Sequence, residues 1–229
     1  MIPKIIHYCW FGGKPKPDGV LKCIESWRRC CPDYEIREWN EGNFNVSSLT
    51  YTSEAYNSGK WAFVSDVARL HALINHGGIY LDTDVELIRS FDHILDNNAF
   101  VGFEGSRFIA TAVMGSVQGN TTMIDFFKLY EDANFVNGEK TMNLTTNVTR
   151  LTDLLTKRGL ILDGTEQCFK DIKVYPTDFF SPYDYIDGTL TKTTNTIAIH
   201  WYSISWKDNA SLKKRFTQLY HRLIGKHRE

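Results

Sequence analysis

Apolar residues fall in short runs broken by polar turns, and the runs alternate between two periods. Ile2 to Trp10 reads as a buried strand, closed by Gly12-Gly13 as a turn. Val20, Leu21, Ile24 and Trp27 fall at helical spacing over residues 20–29, and residues 34–39 alternate like a second strand. The polar, Asn- and Ser-rich stretch at 40–53 reads as loop. Residues 60–76 carry the strongest helical pattern, with Phe63, Val67, Leu70 and Ile74 on one face. Gly77-Gly78 stops that helix in the manner of a C-cap. Ile79 to Leu81 then forms a short strand, and Val85 to Ile88 an exit strand. Further strands are predicted at 100–103, 110–116, 172–175 and 197–201, with helices at 122–130 and 148–158. Strands alternating with helices predict an α/β domain with a mainly parallel central sheet flanked by helices. No internal repeat or linker marks a second domain, so one domain is expected over residues 1–210. The tail 211–229 differs: Leu212, Phe216, Leu219, Leu223 and Ile224 form one helical face, and Lys and Arg crowd the rest. It reads either as a basic amphipathic helix on an anionic membrane surface or as a helix packed on the domain.

Candidate chemistry concentrates at residues 77–84, Gly-Gly-Ile-Tyr-Leu-Asp-Thr-Asp. Residues i and i+2 of a strand share a face, so Asp82 and Asp84 aim at one point if the strand continues to Asp84. Two hard oxygen donors at the end of a buried strand suit Mg²⁺ or Mn²⁺ with a substrate phosphate. On the preceding helix, Asp66 and Arg69 stand at i,i+3 near the edge of the apolar stripe. They read as a surface ion pair or as a phosphate- and sugar-binding fork held by a carboxylate.

Composition narrows the class. With 42% hydrophobic and 23% charged residues the chain is globular, and its 229 residues suffice for a sizeable core. A net charge of −1 gives no case for nucleic-acid binding by the whole domain. The 14% aromatic content suits sugar- or base-stacking surfaces as well as an ordinary core. Five cysteines, spaced as neither a disulfide framework nor a zinc site, fit a reducing compartment. No signal peptide or membrane-spanning stretch is read, so a cytoplasmic location is expected, peripheral at the inner membrane face if the tail binds lipid.

The run WAFVSDVARLHALINHGGIYLDTDVEL resembles the signature of glycosyltransferases with a DXD sugar-binding region. It is similar to glycosyltransferase family 32, including bacterial capsular-polysaccharide transferases, and distantly to the clostridial glucosylating toxins. The opening IPKIIHYCWFGG and the closing IHWYSISW extend the resemblance over most of residues 1–206, least between about 105 and 195. It implies a GT-A-type, Rossmann-like fold and retaining, metal-dependent transfer of a sugar. The donor would be a nucleotide-diphospho-sugar, UDP-linked by preference, and the acceptor a saccharide of capsule, O-antigen or another surface polysaccharide. A lipid-linked acceptor would give the basic tail a purpose. The resemblance places Trp10 on the nucleotide base, Asp66 and Arg69 on donor sugar and diphosphate, and Tyr80 in the donor site. It places Asp82 on donor hydroxyls, reaching the Mn²⁺ or Mg²⁺ through water, and Asp84 directly on the metal. His200 is a ligand by resemblance, although a lone His after an apolar strand is more often structural. Ser203 or Ser205 would add an oxygen, and Trp206 would close over the diphosphate. One departure stands out: many relatives carry an Asn in the segment matching 108–115, where this chain reads Ile109-Ala110-Thr111-Ala112. Two alternatives compete. One is a sugar-nucleotide-binding module without turnover. The other is a haloacid-dehalogenase-like phosphatase, which lacks a role for Asp66 and Arg69.

Overall fold

The computed structural model describes residues 1–138 and 141–202. Its elements are, in order, β1 (Ile5–Cys9), α1 (Asp18–Cys30), β2 (Glu35–Trp39), α2 (Thr50–Asn57), α3 (Trp61–His76), β3 (Gly78–Leu81) and β4 (Val85–Leu87). Then follow β5 (Ala99–Glu104), β6 (Phe108–Ser116), α4 (Thr121–Glu131), α5 (Asn147–Thr156), β7 (Gln167–Phe169), β8 (Ile172–Tyr175), α6 (Thr177–Phe180) and β9 (Ala198–His200). The helix α2 begins inside the stretch read as loop. Its Tyr51, Thr52 and Ala55 are buried, so packing stabilises a helix that its polar sequence does not advertise.

Seven strands form one sheet in the order β2-β1-β3-β6-β5-β8-β7, and β4 pairs with β9 in a separate ribbon. Strands β2, β1 and β3 run parallel, as do β5 and β8. β6 lies antiparallel between β3 and β5, and β7 is an antiparallel edge, so the sheet is mixed. Alternation along β3 sends Tyr80 into the core under α2–α5 and Ile79 and Leu81 into the core under α1 and α6. No helix among the described residues is long and apolar enough to cross a membrane.

Two details aim the strand ends. Gly78, at φ +103°, passes so close to β1 that a Cβ there would lie 2.6 Å from the Ile5 carbonyl oxygen, which brings α3 and β3 tightly against β1. The ribbon strand β4 is tied to α1. Trp27 Nε1 donates to the Val85 carbonyl at 2.7 Å, and Leu87 N donates to Ser26 Oγ at 2.9 Å. β4 is therefore gripped on one side by α1 and paired on the other with β9.

Under the sheet, the fully buried His7 bonds Gly77 O through Nε2 at 2.8 Å and accepts from Trp39 Nε1 at Nδ1, 3.1 Å. This pairing requires the neutral ring. Burial lowers its pKa to about 4, and Arg37 and His76 add to the shift, while the bond to Gly77 opposes it. The unfolded chain binds this proton near the ordinary histidine value and the folded chain only well below it. Stability from His7 is therefore complete above the unfolded value and drains away as pH falls toward 4, by roughly 3 kcal/mol. Urea unfolding of wild type and His7→Gln at about pH 7.5 and about pH 4.5 should show a shallower pH dependence in the variant. Equal slopes would contradict this account.

Candidate active site

The acidic pair sits beyond the carboxyl end of β3. Asp82 continues the alternation of Tyr80, so the two share a face, and the Tyr80 hydroxyl donates to Asp82 Oδ1 at 2.8 Å. Asp84 does not follow the strand. The chain turns at Asp82–Val85, with Val85 N donating to Asp82 O at 3.0 Å. The turn and the β4–β9 pairing, rather than a two-residue strand period, bring the second carboxylate back beside the first. In that pairing Val85 faces His200, and Trp201 N donates to the Asp84 carbonyl at 3.0 Å. His200 Nε2 thus lies 3.4 Å from Asp84 Oδ1. One ligand atom from each of Asp82, Asp84 and His200 falls within 4.8 Å of the others.

Arg69 forms the back wall. It is buried, not at the surface edge that the helical pattern suggested, and so is Asp66. Arg69 Nη2 lies 3.0 Å from Asp66 Oδ1 and 3.3 Å from Asp82 Oδ1. Nη1 donates to the Thr111 carbonyl at 2.7 Å, and the guanidinium lies 4.4 Å from the centre of the Tyr80 ring. The segment where an Asn is missing therefore meets Arg69 through its backbone. Burial pushes the Asp66 carboxyl up, and Arg69 opposes it. Burial would lower His200, but Asp84, joined by Glu104 and Asp82, outweighs it and the net shift is upward.

Trp10 directly follows β1, which lies next to β3 in the sheet. Its Nε1 donates to Lys14 O at 2.6 Å, and the Lys16 ammonium lies 5.9 Å from its ring centre. Ser203, Ser205, Trp206 and the tail 211–229 lie outside the described residues. Two neighbours escaped the sequence reading. Tyr202, at φ +52°, stacks on His200 with ring centroids 3.9 Å apart. Glu104 ends β5, and burial raises its carboxyl pKa while His200 opposes the shift. Glu104 belongs to no recognisable motif, Tyr202 lies in the closing IHWYSISW block without having been singled out there, and the meeting of β5, β9 and the loop after β3 reveals both.

The residues suit a divalent cation. Two carboxylates and an imidazole converge, and their oxygens and nitrogen fit Mn²⁺ better than the all-oxygen preference of Mg²⁺. His200 Nδ1 is buried with no partner among the described residues, which leaves the ring without a competing anchor that would turn Nε2 away. Metal binding needs the imidazole neutral, and Asp84 makes its proton harder to remove. Mn²⁺ affinity, followed by calorimetry, should therefore weaken as pH falls from about 8 to about 6. A flat profile would exclude His200 as a ligand.

This mixed sheet, with an Asp-x-Asp turn and a buried arginine at the carboxyl ends of its central strands, has the arrangement of the GT-A-type fold. Residues 17–101 match the family model described as a glycosyltransferase sugar-binding region containing the DXD motif. It is 31% identical over 131 residues to inositol phosphoceramide mannosyltransferase 3 of Schizosaccharomyces pombe. That match covers 54% of this chain and only 35% of the relative, so the chain spans about a third of that relative's length. An uncharacterized glycosyltransferase of Acanthamoeba polyphaga mimivirus is 27% identical over 94% of this chain and 88% of its own length. Among solved structures, PaToxG glycosyltransferase superposes with a TM-score of 0.55 at 18% identity, over 69% of this chain and 70% of that one. A glycosyltransferase involved in glycosylation of the major capsid of PBCV-1 gives 0.52 at 11% identity, over 87% and 95%. At these identities the superpositions speak to the fold.

Proposed function

We propose that the protein is a metal-dependent, retaining glycosyltransferase that moves a sugar from a nucleotide-diphospho-sugar, UDP-linked by preference, to a saccharide hydroxyl. The convergence of Asp82, Asp84 and His200 within 4.8 Å beside Arg69 carries this reading. Asp84 and His200 would hold Mn²⁺ or Mg²⁺ directly, and Asp82 through water. When bound, the cation stabilises the negative charge that builds on the departing diphosphate. Arg69 turns its donors toward sugar and diphosphate oxygens, and Asp66 accepts from sugar hydroxyls. Asp82, held by Tyr80 and Arg69, offers its remaining lone pairs to donor hydroxyls. Trp10 stacks on the base from the end of β1. The acceptor oxygen attacks the anomeric carbon from the side the diphosphate leaves. The bond to the phosphate oxygen breaks, and the acceptor proton passes to that oxygen, which retains configuration without a covalent enzyme adduct. Ser203 or Ser205 and Trp206 would complete the far wall.

The biological setting proposed is surface-polysaccharide synthesis, such as capsule or O-antigen, at the cytoplasmic side. We propose that one domain over 1–210 does the chemistry and that the basic amphipathic sequence 211–229 makes peripheral membrane contact. The S. pombe relative is named for a lipid acceptor, inositol phosphoceramide, which supports a lipid-linked acceptor here. Deleting 211–229 should then reduce partitioning onto anionic vesicles. The test of the activity is a panel of nucleotide sugars with Mn²⁺, scored by nucleoside diphosphate release. Release from no donor would refute the reading.

A further inference from the structure

Behind Asp66, three helices gather buried polar atoms that lack hydrogen bonds of ordinary geometry among the described residues. Tyr51 of α2 and Tyr130 of α4 meet edge to face, with ring centroids 5.0 Å apart, and both are fully buried. The Arg150 guanidinium of α5 lies 4.9 Å from the centre of the Tyr130 ring and 5.6 Å from that of Tyr51. No hydrogen bond of ordinary geometry reaches either phenol oxygen, Arg150 Nε or Asn147 Nδ2 among the described residues, although Arg150 stands close enough to Tyr51 to act on its hydroxyl. Tyr51 also packs on Phe135, and Phe135 packs on Phe63. Phe63 stands one turn before Asp66 on the same face of α3. The Asp66 charge acts on both phenols, and Arg150 acts on Asp66.

A buried hydroxyl without a partner is destabilising, and phenylalanine would fill the same volume without that penalty. Packing alone therefore does not account for two such phenols beside a buried guanidinium nitrogen. The carboxylate they surround faces two ways. Its side chain is 10% exposed, so most of it is enclosed while a small part still reaches solvent. In front, a single Arg69 Nη2 serves both Asp66 and Asp82. Arg150 is a second cation acting on Asp66, from behind.

We infer that Tyr51, Tyr130 and Arg150 are positioning residues for the donor sugar: through bridging water they hold the Asp66 carboxylate with its open edge toward the cleft, leaving Arg69 available to the diphosphate. The ligand they serve is the polyhydroxylated ring of the donor, not its nucleotide. This inference rests on the proposed role of Asp66 in donor binding.

The test uses the full chain as wild type, Tyr51→Phe, Tyr130→Phe and the double variant. Three quantities are read with Mn²⁺ present: melting temperature, affinity for the donor that wild type turns over fastest, and affinity for the nucleoside diphosphate of that donor. The double variant should melt at or above the wild-type temperature. It should bind the nucleoside diphosphate unchanged and the whole donor about tenfold more weakly, the size of one lost charge-assisted hydrogen bond. Equal loss for both ligands, unchanged donor affinity, or a loss that tracks a lower melting temperature would overturn the positioning role. If wild type turns over no donor, the broader reading fails and this inference falls with it. If wild type turns over a donor and the double variant binds it equally well, only the positioning role is refuted.

Discussion

Asp84→Ala should reduce metal-dependent sugar transfer by at least about a hundredfold while leaving the fold intact. The side chain stands in a turn after β3 and is 17% exposed. Its loss removes one of the proposed carboxylate ligands and also the group that most raises the His200 pKa. With Asp84 gone, burial dominates and the His200 pKa should fall, which can be followed by NMR titration of the imidazole. Activity lost together with a lowered His200 pKa and an unchanged melting temperature would assign the effect to the site. A variant that keeps wild-type turnover would remove Asp84 from the chemistry.

Arg69→Met should be the most destabilising single change in the site, by about 3–5 kcal/mol. Arg69 is 4% exposed and is the shared partner of Asp66 and Asp82. Methionine fills much of the volume but leaves a buried carboxylate at Asp66 without its cation, and the Thr111 carbonyl without its donor. Adding Asp66→Asn should recover part of the loss, because the uncompensated charge is then gone. Chemical denaturation of both variants checks this. A single variant within about 1 kcal/mol of wild type would show that the pair is already solvated.

Much of this site was legible in the chain, for physical reasons that stop at identifiable points. The apolar run before Asp82 and the Gly77-Gly78 stop follow from periodicity and backbone freedom, and β3 and α3 appear where those rules put them. Helix α2 was not legible, because its apolar face is short and its sequence polar. Tertiary burial of Tyr51 and Ala55 makes it helical. The burial of Asp66 and Arg69 was missed as well. Their spacing gives the i,i+3 contact but not the α2–α5 layer that covers them. Asp84 was expected to converge with Asp82 by strand alternation, whereas a turn and the β4–β9 ribbon bring them together. The meeting of His200 with Asp84 depends on that ribbon, a long-range pairing that no local pattern encodes. Glu104 and the Tyr51–Tyr130–Arg150 group lie outside any motif, and Tyr202, though inside the IHWYSISW block, gains its place beside His200 only when distant elements are packed together.

The central claim is that Asp82, Asp84 and His200 hold a cation that in turn holds a nucleotide diphosphate. Electron paramagnetic resonance of Mn²⁺ titrated with the protein tests it most directly, with and without UDP, in wild type and Asp84→Ala. The account predicts that wild type depletes the free-ion signal, that UDP tightens this binding, and that Asp84→Ala does neither. Equal Mn²⁺ binding in the two proteins, or none in wild type even with UDP present, would contradict it.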